Sequence, residues 1–158
     1  MAAFRIVTCI KAPIDLCFDL ARDIDFHAES LRDTGERSVA GRTSGLIGLG
    51  ESVTWEGRHL GVRQRLTSEV TAFDRPIYFR DVMTAGAFRS FAHDHCFEER
   101  DALTVMTDVV EFRSPFGPVG WLVDRVFLAG YLRRLLTGRC EAIKYRAEAI
   151  ARQNEQLS

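Results

Sequence analysis

The feature that most constrains this chain is a change of period. From residue 36 to 113 apolar side chains tend to recur at every second position, and from residue 122 onward at every third or fourth. Period two puts alternate side chains on one face of a strand, whereas period 3.6 draws a stripe along a helix. A chain divided in this way predicts an antiparallel sheet with one apolar face, followed by a helix that covers it.

The clearest strand is 62–73, where Val62, Gln64, Leu66, Ser68, Val70 and Ala72 share one face and Arg63, Arg65, Thr67, Glu69 and Thr71 share the other. Residues 51–59 alternate likewise, with Val53 and Trp55 inward, and Leu60-Gly61 forms the turn between the two. Strands are also expected at 76–84, 88–99 and 103–113, with tips near Ala85-Gly86 and Asp101-Ala102. Ahead of them, residues 4–11 read as a strand that Ala12-Pro13 breaks. Residues 14–22 form a short helix, and Asp23 or Asp25 caps a second one that runs to Leu31. At the far end Leu122, Val126, Ala129, Leu132, Leu136, Cys140, Ile143, Ala147 and Ile150 form one stripe along a helix of about eight turns. Arg133, Arg134, Arg139, Lys144, Arg146 and Arg152 fall mostly off that stripe and read as a solvated face. The expected fold is α+β: a curved antiparallel sheet of about seven strands wrapped around a long C-terminal helix, with two short helices after the first strand. Residues 1–158 form a single domain.

A net charge of −1 gives no general field towards nucleic acid or anionic membrane. Cys9, Cys17, Cys96 and Cys140 form no C-x-x-C pair and fit no zinc module. The N-terminus lacks the apolar core of a signal peptide, and no apolar run is long enough for a membrane span. The expectation is a reduced, cytoplasmic protein without nucleic-acid or integral-membrane partners.

The element order resembles the helix-grip fold of START-like, Bet v 1-like and polyketide cyclase/dehydrase proteins. Four segments resemble bacterial cyclase-like members of that superfamily: residues 39–51, Val53-Thr-Trp-Glu-Gly-Arg-His59, Phe79-Arg-Asp81 and Phe91-Ala-His-Asp-His-Cys-Phe97. Thr107-Asp108 and Ser114-Pro-Phe-Gly-Pro118 fit the same pattern. The resemblance covers nearly the whole chain and implies an internal pocket between sheet and helix. The superfamily includes lipid carriers, hormone receptors and aromatase/cyclases, so it names no single chemistry, and no catalytic motif is carried over.

With a tip at Asp101-Ala102, Phe91, His93, His95 and Phe97 share a face with Met106, Asp108, Val110 and Phe112, and His95 lies opposite Asp108. Phe79 and Asp81 join that side if the preceding turn centres on Gly86. His59 sits near a hairpin tip, at the expected mouth. The inner face therefore carries two imidazoles and two carboxylates among aromatic rings. Three readings stay open. One is a satisfied core patch of His95–Asp108 with Asp81–His93 beside it, one a ligand-orienting patch, and one an acid–base pair. His93-x-His95 resembles part of the first cupin motif, but six residues separate Gly86 from His93 where that motif has five; a 2-His-1-carboxylate site with Asp108 or Asp81 stays open, while the expectation is no metal or other cofactor. The glycine-rich stretch 41–50 lacks a phosphate-loop ending and reads as a mobile lip over the pocket.

The residues expected to meet a ligand are Trp55, His59, Phe79, Asp81, Phe91, His93, His95, Phe97, Asp108, Phe112 and Trp121. The expected function is binding or transport of a hydrophobic small molecule (lipid, polyketide or aromatic). The alternative is a cyclase/dehydratase-type enzyme that uses the pocket His and Asp residues as acid–base groups.

Overall fold

The computed structural model describes residues 1–115, 117, 122 and 124–157. Strand β1 (Ala2–Ile10) leads through Pro13 into helices α1 (Ile14–Ala21) and α2 (Ile24–Ser30). The Asp23 side chain caps α2 by accepting from the Phe26 amide, as its position ahead of the apolar run predicts. Six strands follow: β2 (Arg37–Gly41), β3 (Ser52–His59), β4 (Val62–Asp74), β5 (Tyr78–Ala85), β6 (Ser90–Arg100) and β7 (Leu103–Arg113). Helix α3 (Ala129–Gln156) ends the chain, preceded by a π-helical turn at Asp124–Leu128.

The seven strands form one antiparallel sheet in the order β1-β7-β6-β5-β4-β3-β2. From β2 to β7 successive strands are neighbours, and β1 pairs with β7 at the edge opposite β2. Two of the hairpins turn on two residues. Leu60-Gly61 (φ 52° and 78°) joins His59 to Val62, and Asp101-Ala102 (φ 50° and 61°) joins Arg100 to Leu103. Left-handed φ at both central positions matches the twist of the flanking strands. These tight turns set the register, and Phe91, His95 and Phe97 pair with Phe112, Asp108 and Met106 as the alternation requires.

Strict alternation fails in β4. Register shifts between Thr67 and Ser68 and between Val70 and Ala72 interrupt the β4–β5 ladder. The second puts Phe73, rather than Ala72, edge-on against the fully buried Phe18 ring at 5.4 Å. Phe18 also meets Phe79 and Phe97 edge-on, each at 5.3 Å, and so locks α1 against β5 and β6.

Helix α3 buries Leu132, Leu136, Arg139, Cys140, Ile143 and Ala147. Cys140, Ile143 and Ala147 pack with α1 and the middle of the sheet, and Leu132 and Leu136 with Phe4, Val110 and Phe112. The expected stripe is truncated at its start. Leu122 and Val126 are exposed, and Val126 lies in the π-turn rather than in α3. Among the described residues no helix is long and apolar enough to cross a membrane.

The 41–50 stretch is pinned rather than loose. Ile24 donates to the Gly45 carbonyl (2.9 Å), Ile47 to that of Arg22 (3.1 Å) and Gly50 to that of Val70 (2.9 Å), while the Asp25 carboxylate accepts from the Gly45 amide. Buried Ile47 presses inward from this strap. The stretch expected to act as a lip is hydrogen-bonded to the α1–α2 corner on one side and to β4 on the other, so that it forms a strap between them.

Candidate functional site

The site begins with the pleat. His93 and His95 stand on the inner face of β6, with Asp81 opposite His93 on β5 and Asp108 opposite His95 on β7. Directly facing pairs would give His93–Asp81 and His95–Asp108 hydrogen bonds. The bonds instead cross. His93 Nε2–H donates to Asp108 Oδ1 (2.8 Å), and His95 Nε2–H donates to Asp81 Oδ2 (3.1 Å). His95 Nδ1 also approaches Asp108 Oδ1 to 3.0 Å, but out of line for a hydrogen bond. Diagonal cross-strand neighbours lie within reach of long side chains, and the imidazoles use that reach. The Cys140 thiol on α3 donates to the other Asp108 oxygen at 3.4 Å. The Phe79 ring stacks on His95 at 4.1 Å, and the two imidazoles lie 3.8 Å apart.

This arrangement divides the charges. Burial opposes ionisation of Asp108, but the His93 hydrogen bond and the His95 imidazole beside it outweigh burial and hold the carboxyl far below the usual range. Asp81 is lowered as well, against its burial, chiefly by the His95 hydrogen bond. Burial also disfavours a charged His95, yet Asp108 and Asp81 together raise its pKa. Burial and the neighbouring His95 lower that of His93. His95 is thus the ring that favours the extra proton, and His93 stays neutral.

A second polar group faces the first across the interior. Arg139, only 4% exposed, donates from one guanidinium nitrogen to the Ala21 carbonyl, while its Nε–H has no partner among the described residues. Glu36 Oε2 and His27 Nε2 are likewise buried without a hydrogen bond, and His27 Nε2 lies 3.9 Å from Glu36 Oε1. His27 stacks on Trp55 at 4.0 Å, nearly parallel. Burial, then the Arg139 charge, lowers the His27 pKa. Glu36 is lowered too: burial opposes this, but His27 and Arg139 prevail.

Between the two groups lies a cavity of about 180 Å³. Its wall is mostly apolar, with Ile47, Val70, Phe79, Leu132 and Leu136 among its members. Of the residues expected to meet a ligand, Trp55, His59, Phe79, Asp81, Phe91, His93 and His95 line it. Phe97, Asp108 and Phe112 are not among its lining residues. Phe97 packs with Phe18 and Phe79, Phe112 with Phe4 and Phe88, and Asp108 lies behind the two imidazoles under Cys140. Each faces inward, but the helices fill the space in front of it. Trp121 lies outside the described residues. At the hairpin tip His59 Nδ1 and the Tyr131 hydroxyl are hydrogen-bonded at 2.9 Å, joining the sheet to the start of α3.

Sequence reasoning missed His27, Glu36, Tyr131 and Arg139. Arg139 left a signal: it stands three residues after Leu136 and four before Ile143, on the buried stripe itself. His27, next to buried Phe26, left none that distinguishes it from a solvated helix residue.

The histidines predict an acid-sensitive fold. His27 and His93 are held neutral, so the unfolded chain takes up their protons first. Their stabilisation is present above about pH 6.5 and is lost as pH falls through and below that value. The lowered Asp81, Asp108 and Glu36 add losses only below about pH 4. His95 has the opposite sign: its contribution is complete below about pH 6.5 and is lost as pH rises through its raised value. His27→Phe keeps an aromatic ring on Trp55 and removes one titration. Urea midpoints between about pH 6.5 and 5 are expected to fall less steeply in this variant than in the parent, and parallel curves would contradict the assignment.

No protein-family profile and no curated protein sequence matches the chain. Solved structures do match. TTHA0849 from Thermus thermophilus is 18% identical, with 90% of this chain and 97% of that one covered and a TM-score of 0.70. Ara h 8.0201 is 14% identical, with 94% and 98% covered and a TM-score of 0.70. Ginseng major latex-like protein 151 from Panax ginseng is 14% identical, with 92% and 97% covered and a TM-score of 0.65. At these identities the likeness concerns the backbone fold.

Proposed function

We propose that this chain, which has the Bet v 1-like helix-grip fold, binds a small aromatic or polyketide-like molecule inside the grip. The observation that carries this reading is an apolar cavity bordered by buried polar atoms with unused hydrogen-bonding capacity. Leaving such a group unpaired costs about 1–3 kcal/mol, a cost that a guest of matching polarity removes. Arg139 Nε–H seeks an acceptor and Glu36 Oε2 a donor. A ring that bears a carbonyl beside a hydroxyl or an amide supplies both. Size favours the aromatic member of the expected ligand classes over a whole lipid. An apolar cavity of about 150 Å³ takes up benzene, and this one, at about 180 Å³, suits one substituted ring better than an entire acyl chain.

Trp55, on the cavity wall, provides the readout. In a Trp121→Phe background, benzamide and phenol are expected to change its fluorescence saturably, and palmitate is not. Arg139→Met should weaken benzamide by about tenfold, one lost hydrogen bond from a charged donor, while toluene is affected little. Leu136→Trp, which fills the cavity, should abolish the response to every ring compound. A flat response of the parent to the whole panel would sink the proposal.

A second reading, acid–base chemistry of the cyclase/dehydratase type, draws on one observation. The His95–Asp81 pair lies on the cavity wall rather than behind it. It requires that a bound guest be chemically changed, so unaltered benzamide and phenol analogues bearing an acidic C–H, recovered after long incubation, would count against it.

A further inference from the structure

His93 and His95 stand two residues apart on one strand, and Asp81 faces them from the next. One ligating atom from each lies within 4.8 Å of the others. Behind the histidines, Asp108 accepts from His93 Nε2–H and lies 3.0 Å from His95 Nδ1. A buried carboxylate on the far nitrogen of a ring is how proteins orient metal-bound histidine. Here one carboxylate sits behind both rings. That leaves His93 Nδ1 without a hydrogen bond among the described residues and aims His95 Nε2 at Asp81 Oδ2, 3.1 Å away. Two ligands on one metal with bonds of about 2.0–2.2 Å are separated by about 3 Å. Asp81 and Asp108 bring two negative charges inward, and among the described residues no Lys or Arg hydrogen-bonds either one. Asp81, His93 and His95 all line the cavity, so further coordination positions would face the guest space.

We propose that Asp81, His93 and His95 bind one first-row divalent metal ion of the Zn²⁺ type, with Asp108 as the positioning carboxylate behind both rings. The ion takes the place of the proton between His95 Nε2 and Asp81 Oδ2, and that proton is released to solvent. Two imidazoles and one carboxylate suit zinc, cobalt or ferrous iron better than calcium or magnesium. The buried thiol of Cys140 is not a ligand, since it donates to Asp108.

The test uses the full chain, stripped with EDTA and titrated with Co²⁺ at neutral pH without any aromatic guest, so its outcome is independent of the small-molecule proposal. One equivalent should bind saturably, giving ligand-field absorption without thiolate charge-transfer bands, and Zn²⁺ should displace it. Asp81→Asn and His93→Gln should each weaken uptake about tenfold or more, and Asp108→Asn by about 10–100-fold. NMR of the unmodified chain decides the matter even if a variant misfolds. One equivalent of Zn²⁺ should move the ring signals of His93 and His95 and leave those of His59 in place. No saturable uptake, or shifts confined to His59 and the cysteines, would overturn the site.

Discussion

Asp108→Ala is expected to lower the unfolding free energy by about 3–5 kcal/mol, the range for removing one partner of a buried ionic group. The carboxylate is 1% exposed and takes hydrogen bonds from His93 and Cys140, with His95 3.0 Å away. Alanine leaves two imidazoles facing an empty space, with donors that solvent does not reach. Asp108→Asn keeps the shape and an accepting oxygen, so it should cost clearly less. The pair of variants separates charge from packing. The charge also has a direct signature: with Asp108 neutralised, the raised His95 pKa should fall, and His95 NMR titration reads that shift. If the alanine variant lost under about 1 kcal/mol in urea unfolding, Asp108 would not be a structural hub.

Phe79→Ala has a comparable expected effect, about 3–5 kcal/mol, by a different route. Phe79 is 3% exposed, stacks on His95, and meets Phe18 edge-on. Its removal takes away buried apolar area and leaves a void that α1 and β5 cannot close without breaking the Phe18 contacts. Because Phe79 forms part of the cavity wall, that void joins the cavity. The variant should therefore accept two-ring guests that the parent excludes, naphthalene for example, even as its thermal midpoint falls. Lost stability without any gain in guest size would mean that the surrounding chain collapses into the space.

These two residues show how much the sequence makes legible. Parity alone places both Asp108 and Phe79 on the inner face, given turns at Asp101-Ala102 and near Gly86. For Asp108 parity is enough because the two-residue turn at Asp101-Ala102 leaves no slack in the register, whereas the longer β5–β6 connection fixes the side Phe79 faces only if its centre is known. The partners are less legible. Facing positions suggest His95–Asp108 and His93–Asp81 bonds, whereas the actual bonds are diagonal, a choice made by side-chain torsions in a packed interior. Inward direction is also weaker than exposure to the cavity. Phe97, Asp108 and Phe112 face inward, yet α1 and α3 fill the space before them. The charge of Arg139 points to solvent, although its helical phase places it on the buried stripe. A bulge in β4 reverses the parity of Phe73, and nothing in local composition announces an extra residue in a strand.

The order of elements, the two-residue turns, the register of β6 on β7 and the need for a covering helix are all written in the order of the residues. They follow from period and turn chemistry, which act between near neighbours. Three outcomes arise only once the chain is packed: His27, Glu36 and Arg139 come to line one cavity, the 41–50 strap is tied down, and the cavity stops short of Asp108. Those outcomes depend on where a curved sheet brings a distant helix, a distance that no pattern local to either element encodes.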